Sequence, residues 1–125
     1  MGIAAVLPTM NAQGAGHIIN MASIGGLRVS PTAAVCCATK FAVRAISDGL
    51  HQENDRIRVT SVCPGVVESE LADSISDEDA RREMAHFRAV ALQPEAIGRA
   101  MLHAIVRPSN VDTTEIVIRP VGNPA

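Results

Sequence analysis

The sequence of 125 residues contains no tryptophan and no tyrosine, and phenylalanine occurs only twice. Without tyrosine, these residues offer no phenolic hydroxyl that could act as a general acid. The three cysteines are an odd number, and Cys36 and Cys37 are adjacent, so a disulfide framework is not indicated. No cysteine or histidine pair has the spacing of a zinc site. We therefore expect reduced thiols and no metal centre.

Long apolar runs and clusters of basic residues are also missing. No run approaches the roughly 20 apolar residues of a membrane span, and the N-terminus lacks the features of a secretory signal. The net charge is -2, and the 11 lysine and arginine residues are scattered rather than gathered into a basic stripe. We therefore expect a cytoplasmic protein that binds neither nucleic acid nor membranes.

The pattern of apolar residues predicts helices and strands in alternation, within the length of one domain. Helices are predicted at 3–13, 33–53, 76–88 and 95–106, and strands at 17–22, 57–63 and 115–119. Such an order favours an α/β fold with a parallel sheet. Ser76 with Asp79 three residues later resembles a capping box, and Pro94 suits the first turn of a helix.

Two loops follow the ends of predicted strands and contain candidate site residues. Ser23 comes just after the strand at 17–22, and Pro64 and Gly65 follow the strand at 57–63. The carboxyl ends of parallel strands meet at one edge of a sheet, and open α/β sheets bind their ligands at that edge. The two loops are therefore expected to lie close together.

Cys36 and Lys40 complete the set of candidate site residues. They are four residues apart in a predicted helix, so their side chains lie on the same face. Considered alone, Ser23 is better explained as an ordinary loop serine than as a site residue, and Lys40 as a solvated lysine of a helix. Their convergence with the loop after the second strand favours a functional site.

Three segments, in this order, resemble a known family: 16–26 (GHIINMASIGG), 36–43 (CCATKFAV) and 63–69 (CPGVVES). They resemble the second half of a classical short-chain dehydrogenase/reductase, and the similarity extends over essentially the whole chain. The resemblance implies an incomplete three-layer, Rossmann-like (doubly wound) parallel sheet of about three strands with flanking helices. Residues 1–125 would form a single partial domain that lacks the N-terminal dinucleotide-binding half.

The resemblance also implies roles for the candidate residues in hydride transfer between NAD(P) and a small alcohol or carbonyl substrate. Ser23 would hydrogen-bond the substrate oxygen, and Cys36 stands where the family has a tyrosine that gives or takes the proton. Lys40 would lower the pKa of that tyrosine and hold the nicotinamide ribose. The nicotinamide carboxamide would be held by Pro64, Gly65, Val67 and Ser69. Residues 70–90 would form a lid over the substrate.

Two departures from the family pattern lower the expected activity. A thiol at Cys36 has a reference pKa of about 8.5 and ionises readily beside a lysine, but it lacks an aromatic ring and stops short of the substrate oxygen. The glycine-rich turn that cradles a pyrophosphate has no counterpart, because Gly14 and Gly16 precede a strand instead of following one. We expect a truncated family member with low or no activity as this chain, and nothing in its glycines predicts NAD(P) binding by the chain alone.

Two other interpretations stay open. The helix at 33–53 has a face of small residues that would allow close approach to the sheet or to a second subunit, made of Ala34, Ala38, Ala42, Ala45 and Gly49. The chain could thus be a non-catalytic module that forms homo-oligomers or dimerises with a full-length relative through this helix. A thiol-dependent activity at Cys36 is the third interpretation, although buried inert thiols are more common.

Overall fold

A computed structural model of the protein describes residues 2–67 and 76–122. These residues form, in chain order, α1 (Gly2–Gln13), β1 (Gly16–Met21), α2 (Ala34–Glu53), β2 (Ile57–Pro64), α3 (Glu78–Arg88), α4 (Pro94–Ile105) and β3 (Glu115–Ile118). The order is the one predicted from the sequence, and each boundary lies within two residues of its prediction.

The three strands form one parallel sheet in which β2 lies between β1 and β3. Ile18 of β1 is opposite Val59, and Val62 is opposite Ile116 of β3. The central strand is an almost continuous β-branched run because it is covered on both faces. Val59 is 2% exposed and Val62 is fully buried, so β2 carries the centre of the core. The predicted parallel sheet is confirmed.

Helices cover both faces of the sheet and make three layers. On one face, α1 and α2 pack over a core cluster of Ile18, Leu50, Ile57 and Val59. Arg58 points to the opposite face, because neighbouring residues of a strand alternate. There its guanidinium donates to the last carbonyls of α4, at 3.1 Å to Ala104 and 3.3 Å to Ile105. The helix α4 therefore lies across the sheet from α2.

The small residues of α2 do not face the sheet. Its buried side chains are Cys37, Ser47 and Leu50, whereas Ala34, Ala38, Ala42 and Ala45 are exposed. The expectation that the small face could pack on the sheet is therefore wrong. The sheet-facing side is partly polar instead: Asn20 Nδ2 donates to Ser47 Oγ over 2.9 Å, and Ser47 Oγ donates to its own helix. This face is held by satisfied hydrogen bonds as well as by apolar contact.

The start of α3 differs from the predicted capping box at Ser76. Asp77 Oδ1 accepts the amide hydrogens of Asp79 at 2.9 Å and Ala80 at 3.2 Å, which makes Asp77 the capping residue. A carboxylate is favoured there over a hydroxyl because it carries a full negative charge at the positive end of the helix. Of the predicted lid, residues 70–75 lie outside the described residues.

His17 on β1 makes the stability of the fold depend on pH. Its Nε2 lies 2.8 Å from Thr60 Oγ1, and burial, with the positive charge of Arg58, lowers the pKa of His17 below 6.5. In the unfolded chain the imidazole takes up a proton at a higher pH than in the folded chain. The contribution of neutral His17 to stability is therefore present above about pH 6.5 and is lost as the pH falls through the folded pKa.

We expect His17→Gln to reduce the difference in unfolding free energy between pH 7.5 and pH 5.0, measured by urea titration with circular dichroism. His103→Gln, at an exposed position of α4, is the matched control and should leave that difference as it is in the unaltered chain. Equal pH dependence in the unaltered chain and in His17→Gln would contradict the assignment.

Candidate functional site

The candidate site lies at the carboxyl edge of the sheet, where β1 and β2 end side by side. The pairing of the strands continues past β1, because the Ala22 amide donates to the Val62 carbonyl over 2.7 Å. Met21 is opposite Val62 in the register, so the residues that follow β1 and β2 leave the sheet side by side. The predicted convergence of the two loops is therefore present in the backbone.

Ser23 opens a single 3₁₀ turn, Ile24–Gly26, and residues 23–26 are called the Ser23 turn below. Its backbone is extended, and its Oγ accepts the amide hydrogen of Gly25 over 3.1 Å. The Gly26 amide in turn donates to the Ser23 carbonyl over 2.9 Å. Because an accepting hydroxyl keeps its own hydrogen, Ser23 can still donate to another group.

The Ser23 turn packs directly on α2 at Lys40. A Cβ atom at Gly26 would lie 2.8 Å from the Lys40 carbonyl oxygen, which is closer than side chains approach a backbone. Only glycine therefore fits at position 26 without a shift of the turn or the helix. Gly25 has more room, since a Cβ there would make ordinary contact at 3.5 Å with the Cys37 sulfur. The turn that carries Ser23 and the segment that carries Lys40 are thus in contact.

The two adjacent cysteines lie in different surroundings. Cys36 is exposed on the first turn of α2, where its carbonyl accepts from Thr39 Oγ1 over 2.7 Å. Cys37 is 3% exposed and lies against the Ser23 turn. Within residues 2–67 and 76–122, no hydrogen bond joins the Cys36 thiol to Ser23 or Lys40.

The loop after β2 is held by the end of β3. The Gly65 amide donates to the Ile118 carbonyl over 2.7 Å, and a Cβ atom at Gly65 would lie 3.2 Å from Pro120. Val67 pairs with Leu92 in an isolated bridge ahead of α4. Pro64 is the buried last residue of β2. Ser69, the fourth predicted residue of this loop, lies outside the described residues.

Sequence reasoning missed Arg44 and Glu115. Arg44 Nε donates to Glu115 Oε2 over 2.8 Å, and Arg44 Nη1 donates to the Gly26 carbonyl over 2.8 Å. The hydrogen bond with Glu115 raises the pKa of Arg44, and burial, with the charge of Glu115, raises the pKa of the Cys63 thiol. The signal available in the sequence was that Arg44 follows Lys40 by four residues, on the same helix face.

Neither a metal-binding cluster nor a membrane-spanning helix is found among residues 2–67 and 76–122. Those residues contain no cluster of three or more histidine, cysteine or acidic side chains arranged to hold a metal ion. They also contain no helix with the length and apolarity that crossing a membrane requires.

Comparisons with known proteins find that this chain is similar to oxidoreductases both in sequence and in fold. Residues 1–80 match the model of the short chain dehydrogenase family. An uncharacterized oxidoreductase of Staphylococcus saprophyticus is 47% identical over 123 residues, which are 95% of this chain and 50% of the relative. One from Staphylococcus aureus is 37% identical and is covered to 48%. The chain thus spans about half the length of the curated relatives it matches.

Solved structures that resemble this fold are also covered to about half of their length. The closed form of a serine dehydrogenase complexed with NADP+ superposes with a TM-score of 0.85 at 31% identity, over 96% of this chain and 50% of that one. Serine dehydrogenase from Escherichia coli has a TM-score of 0.78 at 29% identity, over 97% of this chain and 47% of that one.

The exposure of the three thiols predicts selective labelling. We expect iodoacetamide to alkylate Cys36 at least about tenfold faster than Cys37 and Cys63 in the folded chain, because Cys36 is exposed and burial raises the pKa of Cys63. Peptide mass spectrometry after timed quenching measures the three rates. Labelling in urea is the control and should make the rates similar. Equally slow labelling of all three in the folded chain would exclude a thiol-dependent activity at Cys36.

Proposed function

The chain belongs to the short-chain dehydrogenase family, and we propose that it forms the substrate and nicotinamide side of a hydride-transfer site. The reaction would interconvert an alcohol and a carbonyl compound with NAD(P) as the cofactor. The observation that supports this proposal most is the contact of Gly26 with the Lys40 carbonyl, which brings the Ser23 turn against the helix that carries Lys40. Both segments lie at the edge of the sheet where α/β folds bind ligands.

We assign Ser23 to the substrate oxygen. Its Oγ already accepts from the Gly25 amide and can still donate its own hydrogen, for which a carbonyl oxygen that gains negative charge is a suitable acceptor. Lys40 carries a positive charge four residues after position 36, where it favours the anionic form of a proton donor. The cofactor, when bound, gives or accepts the hydride.

The described residues fit the nicotinamide end of such a cofactor better than its pyrophosphate. The loop at Pro64 and Gly65, with Val67 and Ser69 after it, is assigned to the nicotinamide carboxamide, and the hydrogen bond from Gly65 to Ile118 supports this loop. The pyrophosphate is not assigned to any glycine here. A Cβ at Gly26 would lie 2.8 Å from the Lys40 carbonyl oxygen, so a backbone carbonyl and not a phosphate lies against Gly26, and Gly14 precedes a strand. A dinucleotide-binding half is therefore needed for the reaction.

Cys36 limits the reaction by its length rather than its acidity. A cysteine thiol is intrinsically more acidic than a tyrosine phenol, with reference pKa values of about 8.5 and 10. A tyrosine hydroxyl, however, reaches farther from the backbone by the length of an aromatic ring. We therefore propose that Cys36 supports little proton transfer to the substrate oxygen and that a tyrosine at this position restores it.

The test joins the 125 residues to the half of the Staphylococcus saprophyticus relative that they do not match. We expect the Cys36→Tyr version of this joined protein to oxidise NADPH with carbonyl compounds about a hundredfold faster than the version with Cys36, because general acid catalysis is restored. Adding Lys40→Met to Cys36→Tyr should remove most of this gain. Loss of NADPH absorbance measures the rate across a panel of aldehydes and ketones.

Cofactor binding is the control for this experiment. Titration with NADPH and NADH, followed by nicotinamide fluorescence, should give similar dissociation constants for the joined protein with Cys36 and for its Cys36→Tyr variant. Saturable binding without any gain in rate would contradict the role given to position 36.

Association through α2 is the second candidate function. The outward face of α2 presents small side chains together with Val35, which is 82% exposed, and Ile46, which is 52% exposed. Exposed apolar surface of this kind is typical of a protein interface, and small residues let two helices approach closely. We assign this face to contact with a second copy of the chain or with a full-length relative.

Substitution of Ala42 tests that interface. We expect Ala42→Arg to lower the molar mass measured by sedimentation equilibrium from dimer to monomer, because a long charged side chain separates the helices. Ala85→Arg, at an exposed position of α3, is the matched control and should leave the mass unchanged. A mass that Ala42→Arg does not alter at any concentration would exclude this face.

A further inference from the structure

Arg44 joins the Ser23 turn to the opposite end of the chain. From its place on α2, one helical turn beyond Lys40, its Nη1 donates to the Gly26 carbonyl over 2.8 Å. Its Nε donates to Glu115 Oε2, also over 2.8 Å, at the first residue of β3. The two side chains are partly shielded, at 29% and 35% exposure. One guanidinium therefore holds a turn, a helix and a strand together.

The position of this link matters because the contact between Gly26 and Lys40 is steric. A close contact with the Lys40 carbonyl stops the Ser23 turn from moving nearer to α2, but it does not stop the turn from moving away. The hydrogen bond from Arg44 to the Gly26 carbonyl opposes movement of the Ser23 turn away from α2. The two contacts together define one distance between the turn and the helix.

We propose that Arg44 is a positioning residue that holds Ser23 at a fixed distance from Lys40, with Glu115 orienting its guanidinium. The inference rests on the proposed function, since it concerns the two residues assigned to substrate and proton transfer. Arginine suits the task because its planar fork donates in two directions at once. A lysine at position 44 has a compact ammonium on a flexible stem and cannot keep the same two acceptors in the same geometry.

Hydrogen-deuterium exchange of the 125-residue chain tests whether Arg44 holds the turn. The amides of Gly26 and Leu27 donate within the turn, to Ser23 and Ile24. In Arg44→Met we expect exchange at these two amides to rise about tenfold relative to amides of β2, the effect of losing a hydrogen bond to a charged group. Arg44→Lys should give a smaller rise. Arg99→Met, at an exposed position of α4, should give none.

Comparison of the variants separates a local effect from general destabilisation. Glu115→Gln keeps a hydrogen-bond acceptor and removes one charge, so it should fold and should raise exchange in the Ser23 turn less than Arg44→Met. Equal increases in the turn and in β2, or no increase in the turn, would overturn the proposal. If Arg44→Met does not fold, the exchange rates of the Ser23 turn and of β2 are compared in Arg44→Lys and Glu115→Gln instead.

Steady-state kinetics of the joined Cys36→Tyr protein distinguish a positioning role of Arg44 from a purely structural one. We expect Arg44→Lys to lower kcat about tenfold while KM for NADPH changes little, because the turn orients the substrate oxygen rather than the cofactor. An unchanged kcat in an active protein would overturn the positioning role. If the joined protein transfers no hydride at all, the proposed function fails, and the exchange result still decides whether Arg44 holds the turn.

Discussion

The candidate site depends on the contact between Gly26 and the Lys40 carbonyl. A single side-chain carbon at position 26 would come within 2.8 Å of that oxygen, so the absence of a side chain lets the Ser23 turn rest on α2. The turn itself is closed by the hydroxyl of Ser23, which accepts from Gly25. Local hydrogen bonding and a missing Cβ atom together bring a strand end and a helix into one site.

The buried strand β2 is the core from which both loops of the candidate site extend. Val62 and Cys63 are fully buried, and both loops of the site begin where β1 and β2 leave this core. Cys36, in contrast, is exposed on the surface of α2. Under the proposed function, the same scaffold would carry either a tyrosine or the shorter cysteine at position 36.

Much of the fold could be predicted because the signals are local or repeat along the chain. Apolar periodicity placed the four α-helices and three strands of the described residues within two residues, and a continuous apolar run marked the strand with two buried faces. The position of Ser23 after one strand and of Pro64 and Gly65 after the next predicted a shared edge. That prediction follows from the geometry of parallel strands and needs no knowledge of side-chain packing.

The sequence by itself determined the order of elements, the parallel sheet and the edge that the Ser23 turn shares with the loop after β2. Tertiary structure decided which side chains lie inside. It turned Cys37 inward and Cys36 outward, exposed the small face of α2, and joined Arg44 to Glu115 across 71 residues of chain. These choices depend on neighbours that arrive from distant parts of the chain. Spacing along one helix can place Arg44 on the face of Lys40, but it cannot reveal that Glu115 is the partner of Arg44.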